Sequence, residues 1–313
     1  MQQDVKRSAL GGGKAQSIGR AKNTQIGGSG AFRVFNYTFF ALLAVLMVYP
    51  FWHVIMLSLS NTRLASSGGI FLWPRGATLS TYRSVLRNKD IISGFGVSTI
   101  VTVGGTVAGT LITALTAYPL SKAKLRGGPL MMFLVLFTML FNAGMVPYYL
   151  LLKDLKMLNT LYALIVPSLV SAYNVIIMRS FFASLPASLE ESAKIDGAND
   201  AYIFFRIILP LSMATVATIA LFTAVGYWND YLSTVIYIND RAKWSLQANL
   251  RNLLTNTSKA MRESGIEVNT SMTTSEETIK AASIVVSTVP ILVVYPFLQR
   301  YFVKGVMVGA IKG

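Results

Sequence analysis

Groups able to make or break covalent bonds are scarce in this sequence, and their placement bounds what it can do. Of 313 residues one is histidine, none is cysteine, and only 13% are charged. His53 lies in an apolar run, where a lone imidazole is a packed or interfacial side chain rather than half of a catalytic pair. Thiol nucleophiles, disulfides and cysteine metal sites are excluded. Gly11-Gly12-Gly13-Lys14 has the outline of a phosphate-binding loop. It fails at two positions, because Ser8 stands where the first glycine belongs and Ala15 replaces the hydroxyl residue that would ligate magnesium. No catalytic residue, no metal ligand set and no cofactor is therefore expected on this chain.

Charge gathers instead in residues 184–210, SLPASLEESAKIDGANDAYIFFRIILP. Glu190, Glu191, Lys194, Asp196, Asp200 and Arg206 fall here, between long apolar runs. Pro186 sets a helix start, and Ser188 followed by Glu191 has the form of a capping box. Acids in the first turn and Lys194 in the last suit the helix dipole. Gly197 is the residue a left-handed C-cap requires. Asn199 or Asp200 can cap a second short helix over residues 202–208, interrupted by Pro210. Helices this short are marginal alone in water, so flanking spans or a partner must hold them. Small residues Ser192, Ala193, Gly197 and Ala198 would let a partner surface approach the backbone. The element reads as one for docking, not for chemistry.

The elements that must position it are membrane helices. The chain is 53% hydrophobic, far from the roughly one-quarter charged composition of soluble domains. Six runs reach the ~20 residues a crossing needs: residues 35–59, 98–120, 130–152, 162–182, 207–231 and 281–302. The second holds Gly104, Gly105 and Gly109, a composition for close helix contact in lipid. The third should break between Asn142 and Pro147, as a pore-lining segment or as a packing kink. Residues 1–30 are a Gly- and Lys-rich tail expected to be disordered. Residues 239–278 form the largest polar insertion, with a helix expected near 246–254. Basic residues in the tail and at Lys122, Lys124 and Arg126 place both termini, and residues 184–210, in the cytoplasm. The net charge of +15 does not point to nucleic acid, because the basic residues sit between apolar runs.

Glu191-Ser192-Ala193, then Gly197, then Ile207 and Leu209-Pro210 resemble the EAA loop of ABC-importer membrane subunits. Asp196, Gly197 and Ala198 match its Asp-Gly-Ala core, and Ser192 departs from the usual alanine. The segments 142–147, 226–229 and 299–305 are similar to the carbohydrate importers, in particular the polysaccharide branch. The resemblance implies an all-α polytopic fold of six transmembrane helices, the type I importer (MetI-like) permease fold, over residues 31–313. It implies a bacterial cytoplasmic-membrane location, a second permease chain in a heterodimer, two ABC ATPase subunits and an extracytoplasmic solute-binding protein. ATP and Mg would sit on the ATPase partners, and the solute would be an oligosaccharide or polysaccharide fragment.

Away from their ends the six runs contain no Asp, Glu, Lys or Arg. Ion-coupled pumps hold their coupling ion with such residues, so this chain can line a path but not drive it. No internal repeat supports an inverted-repeat secondary transporter. Path candidates are Asn142, Tyr148, Tyr149, Tyr173, Asn174, Tyr227, Trp228 and Asn229, whose aromatic faces and amides suit sugars. The same residues also fit an interfacial aromatic belt. Alternatives are an importer for a non-sugar solute, such as an amino acid or peptide, and an ion-coupled secondary transporter.

Overall fold

Every regular element among the described residues is a helix. The structure, a computed structural model, describes residues 30–65, 69, 72–263, 277–294 and 296. The tail expected over residues 1–30, apart from Gly30, and the segment 299–305 lie outside them. Contacts divide the chain into two units, Met1–Pro50 and Phe51–Gly313. The first holds most of α1 (Gly30–Ser58), whose side chains up to Pro50 are predominantly apolar on every side and almost all exposed. Phe35, Phe39, Leu42 and Leu46 all face outward, which in water would be untenable and in lipid is the favoured state.

In the second unit α2 (Thr62–Ala65) and α3 (Ser80–Arg87) lead to the central helix α4 (Lys89–Leu120). Asn88 starts α4 by accepting the Asp90 amide at 2.9 Å, and Asp90 complements the positive end of the helix dipole. With 32 residues at 1.5 Å rise, α4 is about 48 Å long and reaches beyond a bilayer core at one or both ends. Its buried face runs through Ile91, Gly94, Ser98, Val101, Gly105 and Gly109, the spacing of one helical stripe. A Cβ on Gly105 would stand 2.4 Å from the Tyr227 ring, and one on Gly109 2.7 Å from the Leu169 carbonyl. Gly104, also expected to serve close contact, has only Ile165 at 3.9 Å.

Beyond α4 come α5 (Gly128–Leu140), α6 (Met145–Asp154), α7 (Tyr162–Ile165) with a 3-10 turn to Ser168, and α8 (Ala172–Ala183). Next are α9 (Ala187–Ile195), α10 (Asp200–Ile203), α11 (Leu209–Leu211), α12 (Met213–Asn229) and α13 (Leu232–Tyr237). The described chain closes with α14 (Leu246–Glu263) and α15 (Glu277–Val294). Three helices are long and apolar enough to cross a membrane, Phe32–Ser58, Lys89–Leu120 and Glu277–Val294, and three bent pairs raise the total to as many as six. They fall on the six runs read from sequence, with two corrections.

The third run breaks where expected, between α5 and α6, which meet at 113°. Asn142 Oδ1 accepts the Gly144 amide at 2.9 Å and Gly144 takes φ +85°, so the chain turns before Pro147, which fits inside the first turn of α6. The fourth bends by 47° between Ser168 and Ala172. The fifth starts at Met213 rather than at 207, and residues Asp200–Leu211 form a helix inclined at 82° to it. Pro210 does not end that helix. Residues Phe204–Ile208 form a π turn in which the Leu209 amide reaches back to the Phe204 carbonyl, and the wider turn makes room for the proline ring.

The polar insertion also differs from a solvated loop. Helix α14 runs to Glu263, and Leu246, Ala248, Asn249 and Leu250 are buried. The Leu246 amide donates to Ser98 Oγ at 2.9 Å and Asn249 Nδ2 to the Asp90 carbonyl at 2.8 Å. The amphipathic period of α14 lets one face dock on the start of α4.

Replacing Gly105 with valine should cost about 1–3 kcal/mol through overpacking against Tyr227. Thermal unfolding of the purified protein in detergent measures this. Gly96→Ala, where a Cβ has nothing within 4 Å, should leave the transition unchanged or slightly raised.

Candidate functional site

The surface element begins where α8 ends. Pro186 stands at the N-cap of α9 with no side-chain cap, so Ser188 is already one residue inside the helix. The Ser188–Glu191 capping box is therefore not formed. Glu190 instead pairs with Lys122 in the loop after α4. Lys122 also lies 4.0 Å from the centre of the Tyr118 ring, a cation–π contact. Glu191, the first residue of the motif, is exposed and makes no hydrogen bond or ion pair among the described residues.

The turn between the two short helices is the one the glycine implied. Gly197 has φ +82°, its amide donates to the Lys194 carbonyl at 3.1 Å, and the Ala198 amide donates to the Ala193 carbonyl at 2.9 Å. Together these bonds make a Schellman closure. Asn199 then caps α10 by accepting the Tyr202 amide at 2.7 Å. Lys194 and Asp200 meet at 3.0 Å across the bend, but both are largely exposed and the pair adds little.

What anchors the element is apolar. Ala193, Ile203, Phe204 and Ile208 are buried in one cluster with Ala114 and Tyr118 of α4, Met178 and Phe182 of α8, and Ile219 of α12. Phe204 lies 5.1 Å from Tyr118 and 6.5 Å from Phe182 between ring centres. Ile207 and Leu209 pack against the cluster, while Pro210 is exposed. The opposite side offers Glu191, Ser192, Asp196 and Gly197, together with Ile195 at 86% exposure and Tyr202 at 56%. Sequence reasoning passed over Ile195 and Tyr202. Their signal was an apolar residue in α9 out of step with Ala193, and an aromatic two residues before the buried Phe204, hence on the opposite face.

The second place of interest is a hollow of about 790 Å³ between α8 and α12, lined by Tyr173, Asn174, Thr223, Tyr227, Asn229 and Asp230. Four of the eight path candidates thus come together. Asn174 Nδ2 faces Thr223 Oγ1 at 3.5 Å, and the Tyr227 hydroxyl donates to the Ile165 carbonyl at 2.8 Å. The hollow also carries Asp230, which sequence reasoning did not single out; its Oδ1 accepts the Ser233 amide at 3.1 Å. Trp228, one residue along α12, turns to another face, where its Nε1 donates to the Ser287 carbonyl at 3.2 Å and its ring meets Phe95 edge-on. Asn142, Tyr148 and Tyr149 also lie away from the hollow. Asn142 shapes the α5–α6 turn, Tyr148 reaches toward the Pro167 carbonyl at 3.5 Å, and Tyr149 stacks on Tyr237 at 6.4 Å. The Tyr237 hydroxyl is held neutral, its pKa raised by burial first and then by Tyr148 and Asp230. Among the described residues no three His, Asp or Glu side chains converge to hold a metal ion.

A polytopic helical bundle with a polar hollow and a bent two-helix element at one end has the form of a membrane permease. Comparison with known proteins agrees. Residues 109–308 match the family described as "Binding-protein-dependent transport system inner membrane component". The chain is 44% identical over 282 residues to the polygalacturonan/rhamnogalacturonan transport system permease protein YtcP of Bacillus subtilis (strain 168), covering 90% of this chain and 98% of that one. It is 42% identical to protein LplC of the same organism, covering 90% and 95%. A crystal structure of a bacterial ABC transporter involved in the import of the acidic polysaccharide alginate contains a chain with TM-score 0.79 and 31% identity, covering 88% of this chain and 99% of that chain. The chain belongs to the family of binding-protein-dependent transport system inner membrane components. It is a multi-pass inner-membrane permease component of an ABC transport system, with the MetI-like helical fold, and a transport subunit rather than an enzyme.

The Lys122–Glu190 pair ties α9 to the end of α4. Glu190→Lys alone should set two cations against each other and loosen α9, read as faster limited proteolysis within residues 184–199. Adding Lys122→Glu should restore the resistance of the unaltered protein. A double variant as labile as the single one would show that the pair does not hold the element.

Proposed function

We propose that this chain forms half of the translocation path for oligosaccharides or polysaccharide fragments, and that residues 184–210 couple it to an ATPase. The observation that carries the reading is the two-sided build of that element. One side is fixed into the core shared by α4, α8 and α12, while the other presents Glu191, Ile195, Gly197 and Tyr202 outward. A surface both rigidly held and chemically mixed suits a partner that moves and must be followed. ATPase subunits closing around ATP and Mg would displace α9, and the shared core would pass that displacement to α12 as a rigid-body shift. Glu191, Ser192, Ala193, Asp196, Gly197, Ala198, Ile207, Leu209 and Pro210 are the coupling residues in this reading. The element and both chain termini then face the cytoplasm, and α14 faces an extracytoplasmic solute-binding protein.

The path is the hollow of Tyr173, Asn174, Tyr227 and Asn229, completed by a second permease chain in a heterodimer. Aromatic faces stack on the C–H faces of sugar rings, and amides bond their hydroxyl edges. The polygalacturonan/rhamnogalacturonan system of YtcP and the alginate importer, both similar to this chain, support a saccharide substrate. An ion-coupled transporter acting alone would need an ionisable group at mid-span, and those of the hollow stop at Asp230, beyond the end of α12.

Two outcomes test this. In vesicles holding the permease pair, the ATPases and the binding protein, Gly197→Leu should abolish ATP-dependent uptake while insertion is kept. Open space surrounds that position, so the loss arises from the backbone strain of φ +82°, about 1–3 kcal/mol, and from the altered outer surface. Full uptake by the variant, or uptake by this chain without ATPases, would overturn the coupling role. Asn174→Ala should weaken saccharide uptake about ten-fold with ATP hydrolysis retained, the effect of one lost hydrogen bond to solute.

A further inference from the structure

Near the surface element, but on the other side of the α4–α5 loop, lies a cavity of about 380 Å³. Its lining joins two basic side chains, Lys122 and Arg179, to the apolar Met132, Phe133 and Leu136 of α5. Arg179 donates through Nε to the Leu120 carbonyl at 3.0 Å, which fixes the guanidinium at the cavity wall. Its two terminal nitrogens make no hydrogen bond or ion pair among the described residues. Lys124 and Arg126 are exposed on the same loop. Of these four cations, only Lys122 is paired with a carboxylate among the described residues, that of Glu190. Helix α5 buries none of its residues, and its apolar exposure continues from Phe133 through Phe137 to Leu140.

We propose that this cavity binds the headgroup of an anionic phospholipid, with one acyl chain lying along α5. The terminal nitrogens of Arg179 would hold the phosphodiester, since a planar guanidinium offers paired donors to phosphate oxygens. Lys122 adds a second positive charge at the rim, and Met132, Phe133 and Leu136 share one helix face for the chain. A basic pocket between membrane helices at the interface is the setting in which anionic headgroups are recognised. A free phosphate would satisfy the cations but leave the apolar wall unused, so the geometry selects a lipid. This inference concerns the bilayer and does not depend on which solute is carried.

The test uses the full chain reconstituted in bilayers of equal parts phosphatidylglycerol and phosphatidylcholine. After transfer to mild detergent, retained lipid is counted by native mass spectrometry. The protein should keep phosphatidylglycerol in preference to phosphatidylcholine. Arg179→Gln should reduce that preference about five-fold, the effect of one cation near a headgroup. Arg179→Lys should recover part of it. Lys124→Gln removes the same charge outside the cavity and should leave the preference in place. Phe133→Ser, on an exposed face where folding is not at stake, should shorten retention of the lipid. Equal retention of both lipids by the unaltered protein would overturn the proposal. So would an equal fall in Arg179→Gln and Lys124→Gln, or displacement of the lipid by millimolar glycerol phosphate.

Discussion

Everything in the second unit depends on how closely neighbours can approach α4. Lipid gives helices no hydrophobic reason to associate, so packing must supply it. Where α4 has glycine, the Tyr227 ring and the Leu169 carbonyl come to distances a side chain would forbid. Where it has Ala114 and Ala117, α8 and α12 close in to form the core. Gly105 behind the Tyr227 ring, and Ala114, Ala117 and Tyr118 beneath the surface element, make α4 a common support for the hollow and for that element. The two sites share a scaffold, which is the physical basis for coupling them.

The same core explains how two helices of nine and four residues persist at a surface. Neither could stand alone. Ala193 needs a small side chain to seat α9 against the bundle, and Ile203, Phe204 and Ile208 carry α10 and the π turn into it. The Schellman closure at Gly197 then satisfies the last carbonyls of α9 through bonds within the element itself. The bend is thus set locally and its position globally, so the outer face can be altered without disturbing the core beneath.

Much of this was legible in sequence. The apolar runs marked the spans because hydropathy acts through length alone, and Gly197 marked the turn because few other residues tolerate its φ. Pro186 and Asn199 marked helix starts through local backbone chemistry. What could not be read were angles and partners. Nothing in 130–152 distinguishes a kink from the 113° turn, which depends on Asn142 folding back on Gly144. Glu190 and Glu191 are identical in type, and only the position of Lys122 in space decides which is paired. Tyr227 and Trp228 looked alike as path residues, yet one residue along a helix rotates a side chain by ~100°, and they serve different surfaces. Pro210 read as a stop because the π turn that accommodates it has no sequence mark.

That turn has a larger consequence. By enclosing one residue more than an α turn, Phe204–Ile208 sets the azimuth of everything downstream. Were that turn to tighten to ordinary α geometry with every residue kept, the chain after it would be rotated by ~100° about the axis of this helix. Tyr227 would leave its slot beside Gly105, and the hollow would lose a wall. The phase between the outward-facing bend and the solute path is therefore kept by one widened turn, as a key fixes a gear to its shaft.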